Sequence, residues 1–236
     1  MKKGVFIKSR DPELSRIASV AGLDFLILDR EHGILGLSDI RAFNFAAGSE
    51  LKTYVRLKNT DDSEIRQIVE LGVSGLMIPN VKAYSDFVKL KDSIFFYPKG
   101  KRGICCYVPA ANYGAVSRSV YLDVESNQIE LIVQIEGIEV LKELDSFVYD
   151  DDVSVLFIGP YDLSQSLGIP GQIENDIVIE KIKGIVNECS LNGKAVGLYV
   201  DNVESISFWG ALGVEFFAVG VDYNIILNGF KTIAVI

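Results

Sequence analysis

The only histidine of the chain, His32, stands in the run Asp29-Arg30-Glu31-His32-Gly33, directly after an apolar stretch. Histidine is the side chain whose ordinary pKa suits proton transfer near neutrality. Arg56, Gln134 with Glu136, Gly159-Pro160-Tyr161-Asp162-Leu163-Ser164, Asp201 and Asp222 also stand at or near the ends of apolar runs. A carboxylate pair such as Glu136 and Asp162 suits Mg2+ or Mn2+, hard ions that take oxygen ligands and keep water. Arg56 can pair with a carboxylate or steady a developing oxyanion, and the Gly159-Pro160-Tyr161-Asp162 turn can offer N–H groups to an anion. Each residue has a plainer reading too. His32 can be a packed side chain, Arg56 a structural ion pair, and Asp162 a cap for a helical turn opening at Leu163-Ser164.

These residues are positioned by a repeating unit: a short apolar run, a polar turn, then a segment of helical period. The runs fall at residues 4–7, 25–28, 53–57, 75–78, 131–135, 154–158, 195–200 and 215–219. Helical patterns fall at 12–21, 38–47, 63–71, 84–91, 138–147, 177–189 and 203–212, several closed by a glycine suited to a C-cap (Gly22, Gly48, Gly72, Gly193, Gly213). The runs are continuously apolar, as in strands buried on both faces. Eight such units in 236 residues predict an α/β fold, a single (β/α)8 TIM barrel over residues 1–236. A doubly wound open sheet is the alternative, without its G-x-G-x-x-G signature. In a TIM barrel the chemistry sits at the C-terminal ends of the strands, where the residues above stand. Residues 95–127 break the rhythm and read as a functional loop or lid.

The formal charge of −9 disfavours nucleic acid, whose phosphates need a basic face. No apolar run is long enough to span a bilayer, and the opening residues are too short for a signal peptide. The chain reads as soluble and cytoplasmic, acting on small molecules. Three cysteines, Cys105, Cys106 and Cys189, give no disulfide framework; the adjacent pair reads as two small buried side chains. Residues 150–152, all aspartate, read as a solvated loop. Lys99, Lys101 and Arg102 form a basic cluster, either solvent-facing or a receiver of an anionic substrate.

Taken in order, AGLDFLILDREHG, YVRLKNTDDSEIRQIVELGVSGLMIPNV, YPKGKRG, VQIEG, VLFIGPYDLSQSLGIPG and FFAVGVD resemble the HpcH/HpaI aldolase family, the class II pyruvate-dependent aldolases. The resemblance implies reversible aldol cleavage of a 4-hydroxy-2-oxo acid to pyruvate, or a similar 2-oxo acid, and an aldehyde. It implies His32 as acid–base group, Arg56 as the cation that binds pyruvate and its enolate, and Gln134 as a substrate contact. Glu136 and Asp162 would hold the divalent metal, Mg2+ or Mn2+ with Co2+ as a further option. The backbone at Tyr161 and Asp162 would meet the substrate carboxylate, and Glu70 would support the histidine. It also implies a homo-oligomer, trimer or hexamer, through exchanged C-terminal helices, an exchange the short tail after Asp222 would reduce. The chain departs from the family at Glu70, where Asp is frequent; at Tyr161, where a small residue is; at Lys99, where a second proline is common; and at Cys105-Cys106. Lys58 is the one lysine read near a strand end, which disfavours a Schiff-base route. Two other readings stay open: a related lyase on a larger acid or CoA thioester, with the 95–127 loop binding the nucleotide, and a barrel that binds a 2-oxo acid without turnover.

Overall fold

A computed structural model describes residues 1–123 and 128–234. All eight apolar runs form strands: β1 (Lys2–Ile7), β2 (Phe25–Asp29), β3 (Lys52–Arg56), β4 (Gly75–Ile78), β5 (Glu130–Ile135), β6 (Val153–Ile158), β7 (Ala195–Val200) and β8 (Phe216–Val221). Neighbours pair in parallel and β8 returns to β1, closing the barrel in sequence order. The fold is the expected (β/α)8 TIM barrel. Its helices are α1 (Glu13–Val20), α2 (Leu37–Ala47), α3 (Asp62–Glu70), α4 (Tyr84–Ile94), α5 (Arg118–Asp123), α6 (Leu144–Val148), α7 (Pro160–Ser166), α8 (Asp176–Leu191), α9 (Ser205–Ala211) and α10 (Asp222–Ala234).

Successive strand side chains point to opposite faces, and this alternation makes two cores. Phe6, Phe25, Ile27, Tyr54, Met77, Ile132, Phe157 and Phe216 fill the barrel interior, with Phe25 stacked on Phe216 at 3.8 Å. Ile7, Leu26, Leu28, Val55, Leu76 and Val133 face the helices. Each such fully buried side chain stabilises the fold by about 1.5–3 kcal/mol. Helix α3 shows how the outer layer docks. Asp61 caps it by accepting from the Glu64 N–H at 2.9 Å, Ile65, Ile68 and Val69 bury one stripe, and Gly72 at φ 76° ends it.

The 95–127 segment is not a lid over this chain's mouth. It follows α4, which runs antiparallel to the strands, so it lies at their N-terminal ends. There it folds into a 3-10 turn (Pro109–Gly114) and α5, and closes a small core of Phe96, Ala111 and Tyr121; residues 124–127 lie outside the described residues. Helix α10 continues straight from β8. Only Asp222 of it is buried, and Ile225, Phe230 and Ile233 are exposed. Among the described residues no helix is long and apolar enough to cross a membrane.

Candidate active site

Inward alternation continues one pleat above the interior core. It brings Lys8 above Phe6, Asp29 above Ile27, Arg56 above Tyr54 and Gln134 above Ile132. Arg56 clamps Asp29 with two hydrogen bonds, Nε to Oδ1 at 2.9 Å and Nη2 to Oδ2 at 2.7 Å. Its third nitrogen, Nη1, reaches Glu31 at 3.0 Å, and its guanidinium lies 4.7 Å over the Phe6 ring. Asp29 also accepts the N–H groups of Glu31 and His32, at 3.1 and 3.2 Å, which fixes the turn carrying the histidine. Burial pushes the Asp29 carboxyl up, but Arg56, the His32 N–H and Lys8 outweigh it and hold it below the usual range. Arg56 is thus both the ion pair of the plain reading and a cation at the mouth.

Glu136, just past β5, sits in a different field. The Asn80 N–H donates to its Oε1 and the Gln134 amide to its Oε2. Asn80 takes φ 56° to do so, a left-handed conformation that asparagine tolerates better than most residues, and its side-chain amide bonds Glu31. Burial pushes the Glu136 carboxyl up to about 7; the Asn80 N–H and Arg56 oppose the rise, while the charges of Glu31 and Asp162 add to it. Gly159 makes this packing feasible: a Cβ there would stand 2.9 Å from Gln134 Nε2 and 3.5 Å from Glu136 Oε2. Asp162 is exposed in the first turn of α7, and it is Gly159, not Asp162, that stands at the cap position. The oxygen of the Gln134 amide, Oε1, is buried with no partner, an acceptor open to a donor in the site.

These donors fit a hard divalent cation. Glu136 is a buried carboxylate crowded by two others, so positive charge beside it is favoured. Among the described residues no set of three or more His, Cys, Asp or Glu groups to hold a metal. A carboxylate pair leaves the remaining positions to water and substrate, as Mg2+ and Mn2+ sites do.

His32 stands at the open rim, 58% exposed, with Nε2 3.8 Å from Glu31 Oε2. Tyr161 donates to Asp201 at 2.8 Å and lies edge-on to Tyr199, 6.1 Å between rings, so its ring is tethered over β7. Burial and Asp201 push its phenol up to about 12.

Glu70 is not brought to His32. It ends α3, at the N-terminal end of the barrel, where its charge acts on Arg102 and Tyr121. A residue at a helix C-terminus and one at a strand C-terminus face opposite ends of the same βα barrel, so one chain cannot join them. The basic cluster is also committed elsewhere. Lys99 pairs with Asp152 at 2.7 Å, Lys101 with Asp92 at 2.7 Å, and Arg102 is buried against the Phe96 ring at 3.9 Å. It offers no free platform for a nucleotide. The 150–152 run is only partly solvated, since Asp150 and Asp152 both bind Lys91. Cys105, Cys106 and Cys189 are free thiols, with Cys105 exposed and Cys106 half-buried where both were expected buried.

Sequence reasoning passed over three residues: Lys8, Glu31 as a link between Arg56 and Asn80, and Asn80 itself. Lys58, the lysine it did note, pairs with Glu64 at 3.1 Å. The missed signal was strand parity: Lys8 is two residues beyond the inward Phe6.

A buried carboxylate, a rim carboxylate and a clamped arginine thus share the mouth of the barrel, and comparison with known proteins gives the family. A model of the HpcH/HpaI aldolase/citrate lyase family matches residues 2–229. The chain belongs to the HpcH/HpaI aldolase/citrate lyase family. Within it, the chain is 28% identical to a hydroxypyruvate/pyruvate aldolase of Cupriavidus necator, over 98% of this chain and 86% of that one. It is 30% identical to a 2-keto-3-deoxy-L-rhamnonate aldolase of Klebsiella pneumoniae, over 93% and 82%. An HpcH/HpaI aldolase/citrate lyase family protein of Burkholderia cenocepacia superposes with a TM-score of 0.92 at 24% identity, covering 99% of this chain and 93% of that one. That likeness bears on the fold.

Proposed function

We propose that the protein is a class II pyruvate-type aldolase, cleaving a 4-hydroxy-2-oxo acid to pyruvate, or a similar 2-oxo acid, and an aldehyde. The observation that carries the reading is the family match over residues 2–229, met at the mouth by Glu136, which the Gln134 amide bonds, and by Arg56, which Asp29 clamps. The family's aldolases support it.

Glu136 and Asp162 would hold a divalent cation, Mg2+ or Mn2+, with Co2+ a further option. When bound, it supplies Lewis-acid polarisation of the keto oxygen. Arg56, at the same mouth, would favour the negative charge that grows on that oxygen. His32, at the open rim, takes the proton from the C4 hydroxyl. The C4–O bond becomes the aldehyde carbonyl, the C3–C4 bond breaks, and its electron pair passes to the enolate of pyruvate. A proton then adds to C3. The unpartnered Gln134 Oε1 and the N–H groups of Tyr161 and Asp162, which precede the first intrahelical bond of α7, from Leu163 to Gly159, orient the substrate. Within one chain Glu70 is no partner of His32; Glu31 is the carboxylate beside it.

The decisive experiment follows C3 proton exchange of pyruvate in D2O, and aldol addition to a panel of aldehydes, with Mn2+ or Mg2+ and with EDTA. Metal-dependent exchange and addition are expected, both lost in Asp162→Ala. Full activity in EDTA would refute the metal role; pyruvate binding without exchange would favour a non-catalytic barrel.

We further propose a cytoplasmic homo-oligomer, trimer or hexamer. The free thiols suit a reducing compartment, and the exposed apolar residues of α10 suit burial against another copy.

A further inference from the structure

Lys8 is a cation at the mouth that the mechanism above leaves without a task. It directly follows β1, and its Nζ lies 3.6 Å from Asp29 Oδ2, with the side chain 25% exposed. Asp29 itself is fully buried and already holds Arg56 through two hydrogen bonds. The lysine is therefore a second cation on a carboxylate that is already paired, and a quarter of its side chain remains exposed. Its backbone is pinned. The Lys8 and Ser9 N–H groups donate to the two oxygens of the buried Asp222, at 3.1 and 2.9 Å. A flexible surface lysine has no such anchor.

Barrel order gives the direction. In a closed ring of eight strands β1 stands across from β5, so Lys8 faces Glu136 over the mouth, with Arg56 on β3 between them. On the aldolase reading, a 2-oxo acid held by its keto and carboxylate end near Glu136 and Asp162 would direct its C4 end away from them, and the β1 side is the one opposite. Resting on the aldolase reading, we infer that Lys8 is a specificity residue that receives the distal end of the substrate. The aldehyde this enzyme makes or uses then carries an anionic group, most simply a carboxylate. An uncharged alkyl aldehyde leaves the ammonium without that partner.

The test compares kcat/KM for aldol addition of pyruvate, in the Mn2+-loaded enzyme, to two carboxylated aldehydes (glyoxylate and succinic semialdehyde) and two uncharged ones of matching length (acetaldehyde and butanal). A charge-assisted contact predicts a preference for the carboxylated member of at least about tenfold. In Lys8→Met the preference collapses toward one. In Lys8→Arg, which keeps the charge, most of it survives. An equal fall for both aldehyde classes in Lys8→Met would overturn the inference, leaving Lys8 as a prop for Asp29 and Arg56. An unchanged ratio would overturn it as well. Trapping of pyruvate on Lys8 by borohydride would replace the ionic role with a covalent one. If the wild-type enzyme adds pyruvate to none of the four and exchanges no C3 protons, the aldolase reading itself fails and takes this inference with it. A wild type that turns over but prefers the uncharged aldehydes sinks the Lys8 inference alone.

Discussion

The mouth of the barrel and its floor each hold crowded carboxylates, and Glu136 at the mouth differs from the pair at the floor. At the floor, Asp150 and Asp152 share Lys91, at 2.5 and 2.9 Å, Lys99 adds a second bond to Asp152, and Tyr84 donates to Asp150. Burial pushes both carboxyls up, yet these partners prevail and hold them below the usual range. At the mouth, Glu136 has neutral donors on both oxygens and two like charges nearby, and its carboxyl rises to about 7. The floor is balanced within the chain. Glu136 has no charged partner of its own, and perturbed carboxyls of this kind cluster at functional sites. Balance marks structure; imbalance marks a site.

This contrast can be broken most sharply at Glu136. Glu136→Gln keeps the shape and removes the charge, so aldol cleavage should fall by about 10²–10³-fold and Mn2+ binding by titration calorimetry should vanish, with Tm held or raised. Retained metal binding would undo the assignment of this carboxylate. The next effect concerns Asn80, which reaches both Glu136 and Glu31. Asn80→Ala should lower kcat/KM by about tenfold to a hundredfold through loss of outer-shell support. It should also lower stability by roughly 1 kcal/mol through left-handed strain. Asn80→Gly should recover the stability but not the rate, which separates backbone from amide.

At the floor the order reverses. Lys91→Met should destabilise by about 2 kcal/mol in a urea titration, because Asp150 loses its charged partner, while kcat/KM with saturating metal changes by less than about twofold. A large loss of activity would mean the two regions are coupled. The smallest effect is on acid stability. Asp29, Asp150 and Asp152 have folded values below the ordinary carboxylate range. Between the folded and unfolded values the unfolded chain binds more protons, so stability is full above the unfolded value and drains as pH falls through the folded one. Asp150→Asn should flatten that acid limb, measured by Tm between about pH 5 and 2.

Much of this was legible in the chain itself. Eight continuous apolar runs separated by helical periods specify eight buried parallel strands, because only strands covered on both faces lack alternation. The residues that end those runs, His32, Arg56, Gln134, Glu136 and Asp162, share one end of the barrel for the same reason. Spacing along the sequence says little about residues that meet through alternation and closure. Asn80 reaches Glu136 and Glu31 by a backbone turn that no motif announces. Glu70 looks like a neighbour of the site in sequence, yet the reversal of direction at every helix carries it to the opposite end. The 95–127 segment and its basic residues were misjudged on the same ground: length and charge were visible, the end of the barrel they occupy was not. Local periodicity sets which elements form, since it depends on near neighbours alone. Which charges meet, and whether they are balanced or left in want of a partner, is decided only when strands far apart in the chain are brought side by side.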